Sequence, residues 1–458
     1  MTLNIKNIFT IGFLWIALSL NAQQELGLNF SRQVWQSSYT NPAFVVSGSK
    51  GHFAFPSFYA GAYSTLNRFR IANNSINTSS FFSNAADFSV LSTALHSDVL
   101  DFGFRKNKVY YSFKSSLKSD YYMGIPKDLL GVVAFGNGRY IGKEIQIGPD
   151  FDFSAYVQTS IGAAYEVNKK LTLGVKLNVY NGIFNVSTPL NTASIYTDAD
   201  IYQLRLKTDY QLNASAFDLD GLGESVLNFI RSGNGTGNSL FPNVFKFNKN
   251  SGLGVDLGAT YRINDKVQLS ASAINLGSIK WKNEVTSVKS NGIYEFNGVN
   301  IDKVFRGDSL NLTGIEDTLL GSFRFKTTGL DSYRTTLPGN IYVGGTYQYS
   351  DKVQFGAVVN FMTYHGNFLP AAALSASLNL GQTWSLGATY AVRKNDFTNF
   401  GINTMLRLGV LQGYANFDNI LGVFSPTQFG NSNVRAGVNL IFGKTPKAQK
   451  KEIVLPKV

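Results

Sequence analysis

The chain carries three histidines, His52, His96 and His365, each on a separate segment, and no cysteine. A catalytic metal needs ligands gathered at short spacing, and no HExxH or comparable pattern occurs, so no metal site is expected. Lack of Cys excludes disulfides, thiol nucleophiles, thiolate metal sites and a lipidated N-terminal cysteine. His96-Ser97-Asp98 holds the residue types of a hydrolase triad. A triad is recognised by geometry rather than adjacency, however, and no lipase or protease motif accompanies it. The run Ser232-Gly233-Asn234-Gly235-Thr236-Gly237-Asn238-Ser239 lacks a phosphate-binding spacing and reads as a loop tip. Neither an enzyme nor a cofactor is expected.

Charged residues in alternating segments say more. Leu171, Leu173, Val175, Leu177 and Val179 share one face, opposite Thr172, Gly174, Lys176 and Asn178. Tyr202, Leu204, Leu206, Thr208, Tyr210 and Leu212 oppose Gln203, Arg205, Lys207, Asp209 and Gln211. The same dyad runs from Leu253 to Ile263 and from Trp384 to Arg393. Period two over about ten residues is the length of a tilted membrane strand. If the apolar face meets lipid, the lumen receives Lys176, Arg205, Lys207, Arg262, Arg393, Arg407 and Arg435, with Glu166, Asp209, Asp256 and Asp418. Two readings follow: a lumen of paired charges and water, or a basic interior that attracts anionic solutes or carboxylate headgroups.

The elements that would position these charges announce themselves by repetition. Thr260-Tyr261-Arg262-Ile263-Asn264-Asp265-Lys266-Val267-Gln268-Leu269 recurs as Thr346-Tyr347-Gln348-Tyr349-Ser350-Asp351-Lys352-Val353-Gln354-Phe355, and more loosely over 164–173. Each copy is a strand, a tight polar turn and a second strand, which is a hairpin signal. Asp101 to Phe113 reads as another hairpin, Gly51 to Thr65 as a first strand, Pro126 to Phe135 as a short helix, and Phe81 to His96 as helical from the spacing of Phe88, Leu91 and Leu95. Short turns at 168–170, 264–266, 350–352 and 381–383 alternate with long polar segments, notably 213–244 and 285–336. That layout predicts an all-β, transmembrane antiparallel barrel of about 14 strands (12 to 16), with the short turns in the periplasm. The other fold consistent with the alternation is a secreted β protein with a half-buried sheet. Only 15% of residues are charged while 44% are hydrophobic, which suits a wall that hides its apolar face in alternation.

The expected organisation has four parts. Residues 1–22 read as a signal peptide, with Lys6 before an apolar stretch and Leu20-Asn21-Ala22 as the cleavage site; an uncleaved anchor is the alternative. Residues 23–50 form an N-terminal segment, 51–443 the barrel, and 444–458 a basic periplasmic tail. The formal charge of +12 is scattered, which favours lipid headgroups over nucleic acid as partner.

Asn41-Pro42-Ala43 carries a family resemblance. Long-chain fatty-acid transporter barrels have an Asn-Pro-Ala phrase in an N-terminal segment that enters the lumen as a hatch, and barrels linked to type IX secretion in Bacteroidota carry one too. The chain resembles this broad group, and more narrowly Bacteroidota outer-membrane barrels of similar length. The resemblance implies an outer-membrane location, contact with outer-membrane lipid and lipopolysaccharide, and passive transport of a hydrophobic or amphipathic small molecule past a hatch at Asn41, Pro42 and Ala43. The alternative it implies is an accessory barrel of a secretion or surface-assembly system acting through envelope protein partners. By its residues alone, Asn-Pro also opens a turn.

Overall fold

The computed structural model describes residues 25–54, 56–65, 71–72, 75–76, 87–217, 249–296, 326–364, 367–393, 396–424 and 430–443. Fourteen antiparallel strands close into a barrel. Strand β1 has two pieces, Gly51–Ala54 and Ser57–Ser64. It is followed by β2 (Phe88–Lys106), β3 (Val109–Pro126), β4 (Asp150–Glu166), β5 (Leu171–Thr197), β6 (Ser251–Arg262) and β7 (Val267–Trp281). The ring continues through β8 (Gly339–Gln348), β9 (Val353–Tyr364), β10 (Asn367–Leu380), β11 (Trp384–Arg393), β12 (Asp396–Leu408), β13 (Leu411–Phe417) and β14 (Asn431–Phe442). Each strand pairs with the next, and β14 returns to β1 through Gly51↔Phe442 and Phe58↔Ala436. Closure leaves no unpaired edge, the condition for placing a sheet in lipid.

The residue distribution is inverted relative to a soluble protein. Outward positions are apolar and exposed, as at Leu173, Val175, Leu177 (62%) and Val179 on β5, while inward positions such as Asn178, Asn360 (0%) and Asn439 are buried and polar. An apolar belt around the whole ring belongs against lipid. At one end it finishes in exposed aromatics, among them Phe104, Tyr111, Tyr165, Tyr261, Tyr347, Trp384 and Phe442, the girdle such barrels place at an interface. No helix among the described residues is long and apolar enough to cross a membrane; strands do the crossing.

The same end gathers the short turns, and the repeated phrase explains their chemistry. Asn264 Oδ1 accepts from the backbone N–H of Lys266 (2.9 Å) and Val267 (2.8 Å), and Asn168 Oδ1 from Lys170 (2.8 Å) and Leu171 (2.9 Å). Ser350 Oγ takes the equivalent place, accepting from Val353 N–H at 3.1 Å. These side-chain-closed turns are why Asn or Ser recurs there.

Two expectations need correction. Phe88 to His96 is not helical but belongs to the long strand β2, where pairing to Lys118–Pro126 of β3 overrides local apolar spacing; residues 81–86 lie outside the described residues. The segments 213–244 and 285–336 are not simply loops. Strand β5 runs past the barrel and pairs with Leu204–Ser215, which pairs with Val285–Phe296 and, beyond it, Lys326–Thr328. Leu206, Tyr210 and Leu212 of this ribbon pack on Ile145, Ile147 and the helix α1 (Lys127–Phe135) through Leu129 and Val132. The alternation from Leu206 to Leu212 therefore packs its apolar face on protein and contributes no wall strand, while Tyr202 before it is exposed. Residues 218–248 and 297–325, including the Gly-rich run, lie outside the described residues, as do 1–24 and 444–458.

Candidate functional site

Residues 25–50 lie inside the ring. They touch strands on every side of it: Trp35 reaches Asp101 of β2, Ser38 reaches Lys176 of β5, Arg32 reaches Ser270 of β7, Gln33 reaches Asn379 of β10, and Gln36 reaches Asn439 of β14. Only the interior permits that set of contacts. The segment stays compact through two short 3-10 turns, Leu28–Phe30 and Trp35–Tyr39, and a turn at Asn41, whose Oδ1 accepts from Ala43 N–H at 2.9 Å. The Asn-Pro pair thus opens a turn and also meets the wall. Asn41 Nδ2 donates to the backbone carbonyls of Ala259 (3.2 Å) and Ala271 (3.0 Å). Opposite Pro42, the wall is thinned by a cross-strand glycine pair, Gly174↔Gly258. A Cβ on Gly174 would stand 2.3 Å from the Pro42 carbonyl carbon, and one on Gly258 would stand 2.1 Å from Asn41 Oδ1. Gly174 requires glycine because the backbone of the segment is pressed directly against it, while at Gly258 the side chains of Asn41 and Pro42 fill the space.

The charged anchors come from strands far apart in sequence. Asp418, just after β13, accepts the N–H groups of Leu26 (3.0 Å) and Gly27 (2.8 Å), and also Arg393 Nη2 at 3.2 Å. Arg435 of β14 forks onto Glu25 and reaches Ser57 (3.2 Å) and Asp98 (3.3 Å). A bulge between Asp98 and Leu100 shifts the register of β2, so that Asp98 and Asp101 both point inward. The Tyr39 hydroxyl sits 2.5 Å from Asp101 and 2.9 Å from Asp98. Burial first, then those two carboxylates, hold this hydroxyl well above the usual phenol range, so it stays a neutral donor. Trp35 Nε1 also donates to Asp101 (2.9 Å), and its ring stacks on His52 with centroids 3.8 Å apart. His52 in turn bridges Asp101 (2.9 Å) and Tyr110 (2.7 Å).

Beside the segment lies a polar cavity of about 90 Å³. Lys114, Lys118, Lys176 and Arg435 line it together with Glu25, Asp98, Asp120 and Asp256. Four basic side chains meet four carboxylates, so the formal charge of this part of the lumen is balanced rather than basic. His96 faces it too and contacts Asp120 at 2.9 Å. In a strand, neighbouring residues point to opposite faces, so Ser97 cannot join His96 and Asp98 in a triad.

The pattern defining a family of unknown function, DUF5723, matches residues 42–418. The chain belongs to DUF5723. No curated protein matches it. Among solved structures, it is similar to the toluene transporter TbuX of Ralstonia pickettii at 11% identity, covering 88% of this chain and 92% of that one with a TM-score of 0.39. It is also similar to the toluene transporter TodX of P. putida at 10% identity, covering 90% and 94% with a TM-score of 0.39. A Pseudomonas aeruginosa FadL homologue matches at 11% identity, covering 93% and 99% with a TM-score of 0.38.

In this DUF5723 barrel the charges singled out from sequence divide into two groups. Lys176, Asp256, Arg393, Arg407 and Arg435 are buried. Lys176 donates to the Ser38 carbonyl at 2.7 Å, and Asp256 accepts from Asn178 (2.9 Å) and Asn275 N–H (2.7 Å). Arg407 ties turn ends together, donating to the carbonyls of Gly409 (2.9 Å) and Ile441 (3.1 Å). Arg205, Lys207, Asp209 and Arg262 do not join them. The first three are on the ribbon, where Arg205 pairs with Glu295 (3.3 Å) and Asp209 with Lys289 (3.1 Å); Arg262 is exposed at a turn. Parity assigned their face, but a ribbon that leaves the ring has no lumen behind it. The cavity-lining residues that parity missed are Glu25, Tyr39, Lys114, Lys118 and Asp120. Lys114, Ser116, Lys118 and Asp120 alternate inward on β3, and applying the same rule upstream of residue 145 would have found them.

Proposed function

We propose that this protein is a barrel of the Gram-negative outer membrane that passes small amphipathic or hydrophobic molecules passively. Asn41-Pro42-Ala43 and the rest of residues 25–50 close the path. The supporting observation is a closed ring with an apolar exterior whose lumen holds a segment bonded through side chains rather than strand pairing. Such a segment is displaceable without unravelling the wall. The polar, charge-balanced cavity favours amphipathic cargo with a compact polar end over plain hydrocarbon. In this reading the short turns face the periplasm and the ribbon faces outward. Purified protein in liposomes, tested for entry of labelled fatty acids of several chain lengths, checks the reading: entry no faster than in empty liposomes counts decisively against it.

The second reading, an accessory barrel of a secretion or surface-assembly system, is supported by the ribbon, which exposes Ile201, Tyr202 and Ile293 beyond the ring. Affinity capture of envelope proteins with and without residues 443–458, and with Ile293→Asn, tests it; an unchanged set of captured proteins removes it.

A further inference from the structure

The cavity beside the N-terminal segment has cations whose partners are incomplete. Each of its carboxylates is already engaged. Asp98 receives Ser116 (2.7 Å), Tyr39 and Arg435, and Asp120 receives His96 and Tyr156 (2.7 Å). Asp256 receives Asn178 and Asn275, while Glu25 receives Arg435. The lysines are served less well. Lys114 reaches Asp98 only at 3.8 Å, and Lys176 has the carbonyl and hydroxyl of Ser38. Lys118, 9% exposed and lining the cavity, has neither a hydrogen bond nor an ion pair among the described residues. Its Nζ is not sealed in protein but opens on the cavity, with three donors free to receive an anion that enters there. Formal charge is balanced here, but the carboxylates are hydrogen-bonded and Lys118 is not.

Part of the lining is apolar, formed by Ile274, Pro338, Met362 and the ring of Tyr342, with Asn275 and Asn340 among them. We propose that the cavity is a binding site for a short-chain carboxylate, its carboxyl oxygens taken by Lys118 with Lys114 and Lys176 beside it, and its hydrocarbon set against Ile274 and Met362. This rests on the transport reading only for its purpose, naming the class of molecule admitted; the site itself stands on the geometry. A carboxylate supplies the acceptors that Lys118 lacks through charge-assisted bonds. An inorganic anion would leave the apolar lining unused, and about 90 Å³ is room for a short chain.

The test uses the full chain in detergent, titrated with sodium butyrate, formate and chloride by calorimetry, with heat-modifiable gel migration confirming the folded barrel. Butyrate should bind saturably at one site, more tightly than formate and far more tightly than chloride. Lys118→Gln should weaken butyrate by about tenfold or more, and Lys118→Arg should retain it. If Lys118→Gln does not fold, Met362→Gln should narrow the preference for butyrate over formate. No saturable binding, an unchanged Lys118→Gln, or chloride competing as well as butyrate would overturn the site. Butyrate binding without liposome uptake would support the site while removing the transport reading. Uptake without saturable binding would overturn the site alone.

Discussion

Gly174→Ala should loosen the lumen segment while leaving the wall intact. The new methyl would meet the Pro42 carbonyl carbon at 2.3 Å, the Ala43 nitrogen at 2.4 Å and the Pro42 oxygen at 2.6 Å. All three are backbone atoms, so no rotamer change relieves the clash, and the segment must withdraw by about 1 Å to reach ordinary contact. The bonds beside it tolerate little of that: Asn41 to Ala259 at 3.2 Å, Asn41 to Ala271 at 3.0 Å, and Ser272 Oγ to the Thr40 carbonyl at 2.6 Å. Three bonds at about 1 kcal/mol each come to about 3 kcal/mol, or about a hundredfold in the population of the displaced segment. The wall should be unaffected or slightly firmer, since alanine suits a strand better than glycine. Because the chain has no cysteine, Ser37→Cys supplies a single thiol, 2% exposed in the seated segment. Maleimide labelling of Ser37→Cys should be slow, and in the Gly174→Ala background about a hundredfold faster. Gly413→Ala, whose methyl meets nothing within 4 Å, serves as the control. Equal labelling in all three proteins would refute the clamp.

Asp418→Asn takes charge away from Arg393 and from the N–H groups of Leu26 and Gly27; a loss of about 3–5 kcal/mol is expected, read as a lower temperature for conversion of the folded gel band. Leu177→Arg places a cation in the middle of the apolar belt and should cost about 2–4 kcal/mol on refolding into lipid vesicles, whereas Arg205→Leu on the ribbon should change little; the reverse order would argue for a water-facing wall. Tyr39 has a pKa raised above the ordinary 10.0, so its contribution to closure is fully present below pH 10 and is lost as pH rises beyond it. Planar-bilayer conductance should therefore rise in that alkaline range, and the rise should shrink in Tyr39→Phe.

The wall was legible in the sequence because its determinants are local. Alternation at 171–179 and 253–263 needs only period two, and the Asn or Ser at 168, 264 and 350 needs only a turn that its own side chain closes. The ribbon was misplaced because period two says which residues share a face, not what covers it: Leu206, Tyr210 and Leu212 meet α1 and Ile145 where lipid was expected. The lumen site was half legible. Parity marked Lys176 and Arg435, but the partners Glu25, Tyr39 and Asp98 come from an irregular segment and a bulged strand, where alternation fails. The Gly174↔Gly258 pair, fixed by what presses on it, looked like any two strand glycines.

The polar character of the lumen bears on whether closure is reversible. An apolar plug in an apolar bore would expose greasy surface on leaving, at about 25 cal/mol for each Å². Here Leu26, Leu28, Phe30 and Trp35 supply some of that, but much of the grip is hydrogen bonding to Asp418, Lys176, Asn439, Asp101 and Arg435. A bond exchanged for water costs only about 1 kcal/mol net. The anchors sit on strands all round the ring, among them β2, β5, β6, β7, β10, β13 and β14, so they fix one seating of the segment against all others by geometry. Specific seating at modest cost per contact is what a removable closure needs. A permanent one would be better served by pairing residues 25–50 into the wall or by filling the bore with hydrocarbon.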